Sequence, residues 1–135
     1  MMTMHASGSF EVKMVAQPVQ DDVGAPGIGR MALDKQFHGD LEATSKGQML
    51  ALRTAVEGSA GYVAMEHVSG MLHGRTGGFA LQHSGTMTRG APQLSITVVP
   101  DSGSGELEGL AGTLAITLAD GRHGYEFEYS LPDAG

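Results

Sequence analysis

At 135 residues the chain has room for one domain with a single core. A composition 41% hydrophobic and 17% charged, with 21 glycines, excludes both a disordered chain and a charge-rich helical bundle. Eight Lys and Arg against 15 Asp and Glu give a net charge of −7 with no basic cluster, which argues against nucleic acid and anionic membranes as partners.

With no cysteine, disulfides, thiolate nucleophiles and cysteine-based zinc sites are excluded, and packing must supply the stability. The first residues, MMTMHASGSF, carry neither a basic nor an apolar leader region. No later run reaches the ~20 apolar residues that a spanning helix requires, so the expectation is a cytoplasmic protein with no membrane partner. Nine Met against three Tyr and four Phe predict a soft, adaptable interior.

From Gly8 to Gln17, Phe10, Val12 and Met14 alternate with Ser9, Glu11 and Lys13, the period-two pattern of a half-buried strand. Pro18 to Gly29 concentrates Pro, Gly and Asp and reads as a surface loop, a lid over one mouth of a barrel. Met31, Leu33 and Phe37 share a face in the next strand, Arg30 to His38, where Lys35 falls among them and must snorkel or pair. Gly39-Asp40 turns into Leu41, Ala43 and Ser45, with a break expected at Lys46-Gly47. Gln48 to Glu57 suits a short helix or a strand, and its β neighbours favour the strand.

Ser59 to His83 then predicts two long antiparallel strands, Tyr62 to Arg75 and Gly78 to Met87, folded about Thr76-Gly77-Gly78. Arg89-Gly90-Ala91-Pro92 makes the next turn, and Leu94, Ile96 and Val98 mark a clear strand ended by Pro100. Asp101 to Gly112 is the one place for a helical turn, with Ser104 as its cap and Glu106 and Glu108 near its positive end. Leu114, Ile116 and Leu118 alternate in a further strand, and Asp120-Gly121 is a hairpin signal. In the last strand, His123, Tyr125, Phe127, Tyr129 and Leu131 share one face and Glu126 and Glu128 the other. The fold class predicted is all-β, a closed antiparallel barrel of about eight strands with at most one helical turn, because an open sheet this long would leave an apolar face wet.

Parity along the strands selects the candidate chemistry. Glu66 shares a face with Tyr62, Ala64, Val68 and Leu72, where desolvation would raise its pKa and suit it to acid or base work. The plainer alternative is a paired structural carboxylate. His83 shares a face with Phe79 and Leu81, and is either a proton carrier beside Glu66 or a satisfied core imidazole. Tyr62, Phe79, Tyr125 and Phe127 are the candidate ligand-binding side chains. A metal site from His67, His73, His83 and Glu66 conflicts with strand geometry, because neighbours 66 and 67 point to opposite faces. The Ser102-Gly103-Ser104-Gly105 loop lacks the lysine and spacing of a phosphate cradle, and there is no GxSxG elbow. No metal and no cofactor are expected.

Four stretches in order, FHGDLEATSKGQML from Phe37, GSAGYVAMEHVSGMLHGRTGGFALQHSGT from Gly58, VVPDSGSGELEGLAG from Val98 and HGYEFEYSL from His123, resemble the DUF3224 family of uncharacterised bacterial proteins. That resemblance implies an antiparallel barrel similar to that of plant allene oxide cyclase, and oligomers. It implies no reaction, since the cyclase's catalytic residues match no pattern here. The functional expectation is a barrel binding a small apolar or lipid-like ligand. An isomerase or cyclase on a lipid-like substrate in the lumen is the alternative, and an oligomeric scaffold with Met65 and Met71 buried between subunits a third.

Overall fold

A computed structural model describes residues 3–17 and 27–132. Among the described residues, nine strands follow in sequence: β1 (Met4–Ala16), β2 (Ile28–Gly39), β3 (Leu41–Arg53), β4 (Ala60–Leu72), β5 (Arg75–Thr88), β6 (Ala91–Val98), the two-residue β7 (Ser104–Gly105), β8 (Ala111–Ala119) and β9 (Arg122–Ser130). Their order is β4-β3-β2-β1-β9-β8-β6-β5, closed by β4 against β5, with β7 added on β5 and every pairing antiparallel. The predicted closed barrel is therefore the fold. The expected lid falls mostly on residues 18–26, outside the described residues.

Three local expectations differ from the structure. The β4–β5 hairpin turns at His73-Gly74, both with positive φ, rather than at Thr76-Gly77-Gly78. A two-residue turn of that hand matches the twist of the flanking strands. Gly77 instead lies inside β5, where an added Cβ would come 2.1 Å from the Ser104 carbonyl oxygen, so its missing side chain admits β7. The break expected at Lys46-Gly47 is absent, and β3 runs through it. Gly47 pairs directly with Glu66, and a Cβ there would lie 2.2 Å from the Met65 carbonyl oxygen and 2.7 Å from Glu66 Cβ. The glycine thus permits close approach to β4 rather than ending a strand. Asp101 to Gly112 forms β7 and tight turns, closed by Leu107 N–H to the Ser104 carbonyl and Leu110 N–H to the Leu107 carbonyl. Its leucines, Leu107 and Leu110, are buried against the core.

The barrel has two unlike ends. At the end holding the Gly39-Asp40 and His73-Gly74 turns, the interior is solid: Phe79 stacks on Phe127 at 5.8 Å, and Phe37 meets Tyr125 edge-on at 5.7 Å. Each such aromatic contributes about 1.5–3 kcal/mol by leaving water. At the other end inward-facing residues are large, apolar and open to solvent, among them Met14, Met87, Leu94 and Leu118. Between β6 and β8, registered pairing is reduced to Thr97 with Thr113.

Candidate functional site

Between the solid end and the open end lies a layer of polar side chains at positions whose parity is otherwise apolar. Lys35 comes from β2, Ser45 from β3, Glu66 from β4 and His83 from β5, and their exposures are 7, 1, 2 and 4%. Burying charges in a small barrel is costly unless they are paired and bonded. Here they are. Glu66 Oε2 accepts from Lys35 Nζ at 2.7 Å and from His83 Nε2 at 2.7 Å, while Ser45 donates to Oε1 at 3.0 Å. Lys35 Nζ also stands 5.2 Å from the Phe10 ring centre and 5.9 Å from that of Phe37, so part of its charge faces aromatic rings. Among the described residues, no buried side-chain nitrogen or oxygen lacks a hydrogen-bond partner.

The sequence leads to the expectation of a raised Glu66 pKa, and burial alone does push that way, but the net shift corrects the expectation. The His83 hydrogen bond and the Lys35 charge outweigh burial, so the net shift is below the ordinary value. Glu66 is thereby favoured as a carboxylate, with both oxygens engaged, and anchors the layer. His83 extends the chain towards the mouth. Its Nδ1 lies 3.4 Å from the Tyr62 hydroxyl, and the two rings tilt against each other at 6.2 Å. Burial, then the charge of Glu66, raise the Tyr62 phenol, so it stays protonated at neutral pH.

Tyr62 reaches the open end. It lines a cavity of about 410 Å³ with Met14, Met49, Met87, Pro92 and Leu94, a largely apolar wall whose polar members include Arg53, Thr86 and Gln93. Tyr62, Glu66 and His83 are thus brought together. Phe79, Tyr125 and Phe127 are not: they lie in the solid end, packed against one another and their neighbours. Tyr125 is a structural clasp, its hydroxyl donating to the His38 carbonyl at 2.9 Å and accepting from Leu41 N–H at 2.8 Å. His67 faces outward on β4, and His73 sits in the hairpin turn against Tyr129. Two members of the polar layer, Lys35 and Ser45, were not singled out from the sequence as site residues. Their signal was the one that revealed Glu66, a polar residue at an apolar parity.

Fold and site together define a closed antiparallel barrel with one solid end, one apolar mouth and a charged, internally neutralised floor. The chain belongs to the family described as "Protein of unknown function (DUF3224)", which it matches over residues 6–129. It is similar to the crystal structure of a DUF3224 protein of unknown function from Shewanella oneidensis MR-1, at 49% identity over 98% of this chain and 100% of that one, with a TM-score of 0.89. No curated protein matches.

Removing one partner of a buried ion pair leaves the other charge uncompensated, at a cost of about 3–5 kcal/mol. Glu66→Gln is expected to destabilise the fold by about that much in urea unfolding, and Lys35→Met/Glu66→Leu by much less than the sum of its single variants. The Glu66 pKa is lowered on folding, so its contribution is present above the ordinary carboxylate range and is lost as pH falls through the folded value. The wild-type unfolding midpoint should therefore drop in acid, and that of Glu66→Gln should lack this component.

Proposed function

We propose that the protein binds a small, mostly apolar molecule in the barrel mouth, with Tyr62 as its polar contact. The observation that carries this reading is the cavity of about 410 Å³, walled by methionines and closed below by Tyr62. That volume lies within the usual range for small-molecule pockets, ~300–1,000 Å³. Unbranched thioether side chains adapt to a ligand's shape more readily than aromatic walls do. Binding is favoured over an isomerase that uses Glu66 as a proton donor, because both its oxygens already accept hydrogen bonds and its carboxyl is held below the ordinary range.

With [methyl-13C]methionine-labelled protein, titration with the uncharged probe N-phenyl-1-naphthylamine is expected to shift the methyl signals of Met14, Met49 and Met87 and leave those of Met65 and Met71 in place. Shifts confined to Met65 and Met71, or no shifts, would contradict the reading.

A second reading concerns the outside of the barrel. Leu50, Val63 and Met65 face outward on β3 and β4 and are about half exposed, continuous in register with Leu52 and Ile28. Elsewhere the outer face carries Glu11, Glu126 and Glu128. In an acidic chain, two copies meet with little carboxylate repulsion on the apolar side, where the groove lining includes Arg30 and Lys46. The neighbouring exposed carboxylate, Asp34, is already paired with Lys46 at 3.6 Å, and the lining carboxylate, Glu66, faces inward. We propose that a second copy of this chain covers that face. Light scattering should then report a dimer or larger assembly for the wild type and a monomer for Leu50→Glu/Met65→Glu, and a wild type that stays monomeric at high micromolar concentration would refute it.

A further inference from the structure

The hydrogen-bond network fixes more than the shape of the mouth. We infer that the mouth selects an uncharged apolar alcohol, whose hydroxyl donates to the Tyr62 oxygen. This inference rests on the mouth being the binding site, and it adds the chemical class of the ligand.

The chain of reasoning begins at Glu66. A carboxylate oxygen has only lone pairs to offer, so the nitrogen 2.7 Å from Glu66 Oε2, His83 Nε2, carries a hydrogen. With His83 as the neutral imidazole, its single ring hydrogen sits on Nε2 and leaves a bare lone pair on Nδ1. The contact that Nδ1 makes is with the Tyr62 hydroxyl at 3.4 Å, and His83 is buried. The phenol's hydrogen is therefore directed inward at Nδ1, and what Tyr62 presents to the mouth is an oxygen with lone pairs.

An alcohol completes this arrangement. Its O–H donates to Tyr62, and a hydroxyl that accepts also donates more strongly, which would tighten the long contact to Nδ1. A ketone of equal size has no hydrogen to give. To bond it, Tyr62 would have to turn its hydrogen outward and strip a buried acceptor of its partner, the kind of loss that decides between otherwise matched ligands. A carboxylate fares no better at the floor, because Lys35 is already matched by Glu66 and the phenol oxygen would face an anion with its lone pairs. The cation in the cavity lining is Arg53, the last residue of β3 and exposed, so an anion drawn to it would sit at the rim.

The test is a matched set of eight-carbon probes, 1-octanol, 2-octanone and octanoate, titrated at pH 8 into wild type and Tyr62→Phe with methionine methyl shifts as readout. The expected result is 1-octanol binding about tenfold more tightly than either other probe, with Tyr62→Phe removing that advantage and leaving 2-octanone unchanged. Retained ketone binding by Tyr62→Phe also shows that the variant folds. Equal or tighter binding of 2-octanone or octanoate, or an equal loss for all three in Tyr62→Phe, would overturn the assignment of the ligand class alone. Failure of all three to bind wild type would overturn the mouth reading and this inference with it.

Discussion

A carboxylate placed in the middle of a small barrel has to be neutralised locally or protonated, and this chain neutralises it. Lys35, Ser45 and His83 reach Glu66 from three other strands, so the layer ties β2, β3, β4 and β5 together at one height in the interior. Each partner is held in turn. The lysine lies against Phe10 and Phe37, and Gly47 leaves the space beside Glu66 that a side chain on β3 would fill. Because the bonds are between side chains from different strands, the layer also specifies register. A one-residue slip of any of the four strands would turn its polar member to the outside.

The layer divides the lumen by solvent as well as by position. Below it, aromatic and leucine side chains exclude water; above it, inward-facing methionines and leucines stay wet. An apolar interior surface left open at one end of a barrel is unfavourable unless something occupies it. The chain His83 to Tyr62 carries the influence of the buried charges to that surface without exposing the charges themselves. In the proposed reading, a floor that is polar but neutral holds the ligand by orientation more than by charge.

Much of this was legible in the sequence because strand parity is a property of each strand on its own. Tyr62, Glu66 and His83 face inward as their alternation requires, and of the two courses open to Lys35, snorkelling or pairing, it pairs. What parity does not give is height along the barrel. Phe79, Tyr125 and Phe127 face inward as parity requires but lie in the solid end, since lumen position depends on the stagger between strands. Stagger in turn depends on turns, and the β4–β5 turn was placed at the glycine-rich Thr76-Gly77-Gly78 instead of His73-Gly74. With the true turn, His83 pairs with Ala64 and reaches Glu66 diagonally. Glycines at 47 and 77 read as punctuation from one strand alone, whereas their cause lies on a neighbouring segment that the local pattern does not show. Ser45 has an inward parity but no signal of a role in the sequence, because a hydroxyl at an apolar position gains meaning only when an acceptor is found across from it.

The account depends on Glu66 being charged inside the barrel, and carbon-13 NMR of its side-chain carboxyl during a pH titration reads that directly. The predicted result is a carboxylate signal that persists as the pH is lowered through the range in which ordinary glutamates titrate, moving only below it or when the fold is lost. A Glu66 carboxyl that takes up its proton above that range, with the barrel still folded, would contradict the account.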